Sequence, residues 1–278
     1  MLKDRLKVAI PLILVVFLAF FLPGIWGKCA FALLAAAILV TSSHEGVVLS
    51  GLKPYGIQEV LIQLFGLVLL ANAWGRFTPD FLPLLAFILL AFLSVFNQEV
   101  TQKSLDTVAR TVLVGLLIPW CLSYMMLLFY MPYGMMQNDS IGPMTLAYLV
   151  AITKIADTGA YAIGCATAKL PGGNHKLAIY ISPKKSWEGL AGGILFSVIT
   201  SLIFWKCSDT LPLTCVSAII LGFLAAVVGL LGDLSESLLK RAAGAKDSGK
   251  IPGLGGALDV MDSLIPMGIV IYTWYFFL

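Results

Sequence analysis

Leu211-Pro-Leu-Thr-Cys-Val-Ser-Ala-Ile-Ile-Leu-Gly-Phe-Leu-Ala-Ala-Val-Val-Gly-Leu-Leu-Gly232 runs for 22 residues without a charged side chain and is closed by Asp233. A helix needs about 20 apolar residues to cross the hydrocarbon core of a bilayer, so this run is expected to span one. Eight further runs lie on either side of it, at approximately 7–25, 28–43, 57–74, 80–97, 111–132, 143–165, 187–205 and 261–278. Only a brief turn around Arg76 and Pro79 separates two of them, which leaves seven or eight crossings open as alternatives to nine. Composition points the same way. Hydrophobic residues make up 59% of the 278, charged residues 12%, and the mean hydropathy is +0.95, far outside the soluble globular mix. The expected fold is all-α: a polytopic integral membrane protein of about nine transmembrane helices.

Lysine and arginine set the orientation. With nine crossings and a cytoplasmic N-terminus, fourteen fall inside: Lys3, Arg5, Lys7, Lys53, Lys103, Arg110, Lys169, Lys176, Lys184, Lys185, Lys240, Arg241, Lys246 and Lys250. Lys28, Arg76 and Lys206 fall outside, and Lys154 lies within a helix. The opposite orientation would reverse this bias, so the N-terminus is expected in the cytoplasm. The net charge of +3 therefore reports topology, and with no basic face interleaved with aromatics, no nucleic-acid partner is expected.

Lys3, Arg5 and Lys7 ahead of an apolar run, with Ala30-Phe31-Ala32 beyond it, have the outline of a signal peptide. The length of the run and the spans that follow at once favour a first transmembrane helix instead. Cys29, Cys121, Cys165, Cys207 and Cys215 have no Cys-x-x-Cys spacing and support neither zinc nor a redox motif. They read as small packing residues, with a Cys207–Cys215 pair as the weaker alternative if the loop near Asp209 is external. No internal repeat or soluble domain is visible, so residues 1–278 are expected to form one integral membrane domain. Within it, 1–140 supply N-terminal transmembrane helices, and 141–278 supply helices with polar loops. The two longest polar segments, about Cys165 to Trp187 and Gly232 to Val260, are both expected in the cytoplasm and at one site.

The second of these concentrates charge. Asp233 to Asp262 holds nine charged residues in thirty, against 33 in the whole chain. Charges beside hydrocarbon are costly unless paired or bound to something. Asp259 and Asp262, three apart, would share a helical face and, with Asp233, converge on a cation; the alternative is that they favour the positive end of a helix dipole. Gly244, Gly249, Gly253, Gly255 and Gly256, with Pro252, lie among Lys240, Arg241, Lys246 and Lys250. Such a loop is either a plain turn or a cradle of amides for phosphate, and the four cations tip the balance toward phosphate.

The first segment repeats the theme in Ser182-Pro-Lys184-Lys185-Ser-Trp187-Glu188-Gly189, two cations set before a membrane helix. Positive-inside anchoring and substrate binding are equal readings of those lysines, and Trp187 reads as an interfacial anchor. Lys154 and Asp157, three apart within a span, either neutralise each other or form a polar wall of a cavity. His44 and His175 are isolated and read as solvated loop residues rather than metal ligands.

These residues match a known pattern. The segment Ser237 to Asp262 resembles the signature of the phosphatidate cytidylyltransferases, the CDP-diacylglycerol synthases. Ser182-Pro-Lys-Lys-Ser-x-Glu-Gly resembles their second motif, and Asp157-Thr-x-Ala-Tyr161 the polar helix before it. The resemblance covers the chain from about residue 150 to its end; the first half agrees mainly in hydropathy and length. Two departures stand out: Leu254 precedes the Gly-Gly pair where the family carries histidine, and Val260 follows Asp259 where it carries arginine. One residue fewer precedes Pro252-Gly253. Any role of that histidine or arginine is absent, and a divergent substrate preference becomes more plausible.

The resemblance implies transfer of a cytidylyl group, CTP plus phosphatidic acid giving CDP-diacylglycerol and pyrophosphate. It implies Mg²⁺ held by Asp233, Asp259 and Asp262, with a monovalent cation as a second ion to test. Lys240, Arg241, Lys246 and Lys250 would hold the triphosphate or pyrophosphate, and Asp247 would orient those cations or join the metal cluster. Ser182, Lys184 and Lys185, positioned by Glu188, would meet the lipid phosphate or the nucleotide. Asp157, Tyr161, Ser237, Gly253, Gly255 and Gly256 complete the expected substrate contacts. A homodimer in a bacterial inner membrane, its site facing the cytoplasm and open to the lipid leaflet, is the expected setting.

Two rival classes are set against this. Another Mg²⁺-dependent lipid-phosphate nucleotidyl- or phosphotransferase would also use membrane aspartates, but the CDP-alcohol phosphotransferases need a longer Asp-Gly-x2-Ala-Arg array that is not found. A cation-coupled transporter would use Lys154, Asp157 and Asp233 as an ion path, yet transporters place such groups near the bilayer midplane rather than beside a glycine-rich interfacial loop.

Overall fold

The computed structural model describes residues 22, 24–75, 77–79, 81–97, 99, 101–130, 141–249 and 255–277. The expected span at 7–25 lies almost wholly outside them. The first described helix, α1 (Gly24–Leu49), stops where Gly51 takes a φ of +73° and Arg110 donates from Nη1 to the Ser50 carbonyl at 3.0 Å. Glycine adopts this left-handed turn without a Cβ clash, and the guanidinium satisfies a carbonyl that the helix leaves open. α2 (Ile57–Gly75) and α3 (Phe81–Leu93) follow.

α4 (Gln102–Gly115) is capped by Thr101, whose side chain accepts from the Ser104 amide. It continues through a π-helical turn, Leu116–Trp120, into α5 (Cys121–Phe129). Pro119 inside that turn has no N–H to donate, which accounts for the offset in the hydrogen-bond ladder. α6 (Ile141–Thr167) leads to an antiparallel hairpin, β1 (Lys176–Ala178) and β2 (Ser182–Ser186), with Lys176 opposite Ser186 and Ala178 opposite Ser182. Then come α7 (Trp187–Cys207), α8 (Cys215–Ala242), the short α9 (Ala257–Met261) and α10 (Leu264–Phe277).

Among the described residues, seven helical stretches are long and apolar enough to cross a membrane: Gly24–Leu49, Ile57–Gly75, Gln102–Phe129, Ile141–Thr167, Trp187–Cys207, Cys215–Ala242 and Ala257–Tyr275. The protein is thus helical and polytopic, with one small hairpin that the sequence reading did not anticipate. The run at 80–97 yields only the 13 residues of α3, about 20 Å of helix against a hydrocarbon core of about 30 Å. All five cysteines are free thiols.

The chain forms two compact units. One comprises Met1–Tyr130 with Leu239–Val260. Its interior is apolar and aromatic: Phe31 stacks on Phe129 with ring centroids 3.9 Å apart, and Phe65 on Phe87 at 4.3 Å, with Leu39, Ile62 and Ile118 fully buried. The other comprises Met131–Leu238 with Met261–Leu278. Here α6 and α7 approach to backbone contact. A Cβ on Gly192 would lie 2.5 Å from Ile163 Cβ and 2.9 Å from the Gly159 carbonyl oxygen. Small residues at a helix crossing replace the hydrophobic drive that lipid does not supply, and buried hydroxyls add to it. Tyr148 and Ser201 share a hydrogen bond of 2.6 Å, and Ser197 donates to the Gly222 carbonyl of α8 at 2.8 Å.

Candidate active site

In the second unit, the end of α8 and the break between α9 and α10 bring three carboxylates together. Oxygens of Asp233, Glu236 and Asp262 all lie within 4.8 Å of one another. Asp233 and Glu236 share a face of α8 because they are three apart. Asp262 reaches them because the helix stops at Met261: residues 262 and 263 form a turn, and the Ser263 amide donates to Asp262 Oδ1 at 2.6 Å. Asp259 and Asp262 therefore do not continue along one helix, as their spacing suggested. Gly232 carries no side chain where Asp262 O approaches it, which lets the turn lie against α8.

The two polar segments meet at Asp233. Lys185, at the end of β2, pairs with Asp233 Oδ2, while the Ser237 hydroxyl is 3.4 Å from Oδ1. Ser186 caps α7 by accepting from the Gly189 amide at 3.1 Å, fixing Lys185 one residue ahead of the helix. Glu188 holds the other end of the hairpin: it accepts from the His175 amide at 3.0 Å and pairs with His175 Nδ1 at 2.6 Å. Ser182 is half-buried in β2, whereas Lys184 and Tyr161 are exposed. Lys154 donates to Ser263 Oγ at 2.9 Å, and Ser263 Oγ lies 3.1 Å from Asp157 Oδ2. The Lys154–Asp157 pair, 3.6 Å apart, is thus joined through Ser263 to the residue beside Asp262. The two side chains pair with each other, one of the two readings the sequence left open, and Ser263 ties the pair to the turn that carries Asp262.

The first unit holds a second constellation. Lys240 donates to Asp259 Oδ1 at 2.6 Å, and both side chains are mostly buried. Asp259 Oδ2 accepts from the Ser248 amide at 2.9 Å and the Gly256 amide at 2.7 Å. Gly255 has φ +84°, and a Cβ there would lie 2.6 Å from Asp259 Oδ2. The Ser248 and Gly256 amides of this loop thus face the chain's own carboxylate. Arg241, Lys246 and Asp247 are exposed. Lys250 and Gly253, with Pro252 and Leu254, lie outside the described residues.

Three acidic residues escaped the sequence reading. Glu236, 2% exposed, sits three residues after Asp233, the same spacing that singled out Asp259 and Asp262. Glu45 left no local signal, because its partners are Ser248, Ala257 and Leu258, some two hundred residues away. Glu59, also buried, shares a hydrogen bond of 2.8 Å with His44 Nδ1, so His44 is a hydrogen-bonded helical residue and not a solvated loop residue. His175 is the exposed loop residue expected, although its ring pairs with Glu188 and so is not isolated.

Three carboxylate oxygens at this separation, one from a side chain withdrawn from water, suit a hard cation that takes oxygen ligands and keeps some water. Asp233 and Glu236 come from one helix and Asp262 from a turn pinned by its own amide hydrogen bond, so little rearrangement is needed to bind one. No His or Cys takes part, which argues against a soft-metal site.

Comparison with known proteins bears on what such a site serves. The phosphatidate cytidylyltransferase of Bacillus subtilis is 30% identical over 244 residues, 86% of this chain and 86% of that protein. That of Haemophilus influenzae is 39% identical over 140 residues, 49% of this chain and 47% of the relative, so the match spans about half the length of that protein. An uncharacterized protein of Escherichia coli, YnbB, is 34% identical over 186 residues, 66% of this chain and 59% of its own length. The model of the cytidylyltransferase family matches from residue 3 to residue 278, through both polar segments and every described helix, and the chain belongs to that family.

Proposed function

We propose that this protein joins CTP and phosphatidic acid, giving CDP-diacylglycerol and pyrophosphate. The observation that carries the reading is the convergence of Asp233, Glu236 and Asp262 with Lys185 on Asp233, in a member of the cytidylyltransferase family. An oxygen of the lipid phosphate forms a bond to the α-phosphorus of CTP as the bond from that phosphorus to the α–β bridging oxygen breaks, and pyrophosphate leaves with the electron pair. A phosphate monoester has its second ionisation near pH 6, so the nucleophile is mostly dianionic at neutral pH and needs no general base. The obstacle is repulsion between two anions.

Asp233, Glu236 and Asp262 hold Mg²⁺ in this reading, and a bound Mg²⁺ neutralises phosphate charge and orients the reacting groups. Lys185 is held by Asp233 at the metal site, ready to meet a phosphate oxygen. Lys240, Arg241, Lys246 and Lys250 serve the triphosphate and the leaving pyrophosphate, with Asp247 orienting them and Gly253, Gly255 and Gly256 shaping the loop. We assign Asp259 first to holding Lys240 and the loop amides, with metal ligation as its alternative role. Asp157, Tyr161, Ser182 and Lys184 serve the lipid headgroup side, and Glu188 and Ser237 position their neighbours. A monovalent cation beside Mg²⁺, nine crossings with a cytoplasmic N-terminus (the seven long helices, the run at 7–25, and the short α3 crossing where the bilayer thins around it), a site open to the cytoplasmic leaflet of a bacterial inner membrane, and a homodimer complete the proposal.

The test is pyrophosphate release from CTP by the purified protein in detergent, with Mg²⁺, with and without phosphatidic acid. Release should require both, and Asp262→Asn should lower it by about a hundredfold or more, as expected where a metal ligand is lost. Release that depends on another lipid phosphate would keep the chemistry and change the substrate. Unchanged release by Asp262→Asn would remove the metal assignment.

A further inference from the structure

Glu45, on α1, is 8% exposed and belongs to the first unit. Its carboxylate turns to a loop about two hundred residues later. Oε1 accepts from the Ala257 amide at 2.9 Å, and Oε2 accepts from the Leu258 amide at 2.8 Å and the Ser248 hydroxyl at 2.9 Å. The loop is cut to fit it. A Cβ on Gly249 would collide with Glu45 Oε1, and one on Gly256 would lie 2.7 Å from Glu45 Cδ. These two glycines are needed to make room for a carboxylate of the protein itself, which is a different use from cradling an anion.

The Ser248 hydroxyl also lies 2.9 Å from Asp259 Oδ2. One hydroxyl has one proton to give. The two carboxylates share that one proton, but Asp259 also accepts from the Ser248 amide, so Glu45 and Asp259 hold the same serine from two sides, and Asp259 in turn holds Lys240. The chain of contacts runs from α1 through Ser248 to Asp259 and Lys240. Buried hydrogen bonds to a charged acceptor are among the stronger ones, and a carboxylate left without its donors in such a place is costly.

We propose that Glu45 is a positioning residue for the reaction: by anchoring Ser248, Ala257 and Leu258 to α1 it sets the place of Lys240 and Asp259, and through them of the nucleotide phosphates. This rests on the reading of the protein as a CTP-dependent transferase. Glu45 touches no substrate in the proposal, so its loss acts on the nucleotide and not on the lipid.

The test uses the full chain in detergent, comparing wild type with Glu45→Gln and Glu45→Asp. Without substrates, hydrogen exchange of the amides at 245–249 and 255–260 should quicken in Glu45→Gln by about tenfold or more, while α6 and α7 exchange as in the wild type. With substrates, KM for CTP should rise by about tenfold, KM for phosphatidic acid should stay within about twofold, and Glu45→Asp should recover part of the loss. Ser248→Ala, which removes one of the three donors to Glu45, should give a smaller change in the same direction and serves if Glu45→Gln does not fold. Unaltered loop exchange, or exchange quickened equally in α6 and α7, would overturn the proposal, as would loosened exchange with unchanged KM for CTP. If the wild type releases no pyrophosphate from CTP, the function is wrong and the role of Glu45 in it falls too, while the exchange data still decide whether Glu45 anchors the loop.

Discussion

Glu236 is the member of the carboxylate group most withdrawn from water, at 2% exposed. Replacing it by glutamine keeps the shape and removes the charge where water cannot substitute. We expect Glu236→Gln to lower pyrophosphate release by about a hundredfold and to shift the Mg²⁺ needed for half activity upward, since ligand charge sets the affinity of such sites. A magnesium titration checks this; an unchanged Mg²⁺ requirement would exclude Glu236 as a ligand. Lys185→Met should leave the Mg²⁺ requirement nearly unchanged and lower kcat, because it removes the cation paired with Asp233 and spares the carboxylates. Single residues were legible in proportion to how local their partners are. Asp233 could be singled out from its place after an apolar run, and Glu236 followed from the same i, i+3 rule had it been applied to α8. Glu45 could not be read at all: a carboxylate whose donors are two hundred residues away leaves no spacing to count. The fate of Asp259 was hidden for the same reason, since its donors come from Lys240, Ser248 and Gly256 across a loop.

Elements were legible where lipid dictates them. The expected runs at 143–165 and 187–205 became α6 and α7 with no end moved by more than two residues, because an apolar stretch of that length has one low-cost backbone form in hydrocarbon. Hydropathy marks what lies in lipid and not where a helix ends. α4 starts at Gln102, nine residues before the expected run at 111, because Thr101 caps it and its first turns are amphipathic. The run at 80–97 ends early instead: the chain turns over Ser94–Asn97, and Ser94 Oγ donates back to the Ala91 carbonyl. The hairpin left no alternation to detect, as three and five residues are too few. At the α6–α7 crossing, Gly192→Leu should destabilise the protein by about 1–3 kcal/mol or more through overpacking. Thermal unfolding in detergent measures it, and a midpoint equal to the wild type would mean that the helices can separate freely there.

At the scale of the whole molecule, composition alone identified a polytopic membrane protein, because no soluble fold could hide so much apolar surface. Orientation is open to a direct experiment with the native thiols. Cys165, near the end of α6, and Cys207 and Cys215, at the end of α7 and the start of α8, are exposed and free. With Lys169, Lys176, Lys184 and Lys185 on the cytoplasmic side, a membrane-impermeant maleimide added to spheroplasts should label Cys207 and Cys215 and spare Cys165. Inverted vesicles should give the converse, and the reverse pattern would overturn the topology. The seam between α6 and α7 also bears on how such a protein can change over generations. Ile163 can be trimmed to admit a larger neighbour at position 192, but the carbonyl oxygen of Gly159 stands there whatever residue is encoded. Substitutions on one helix consequently have no full suppressor on the other, and divergence at this crossing is easier at the exposed positions, where Leu195, Ile199 and Ile203 can be exchanged without a reply from across it.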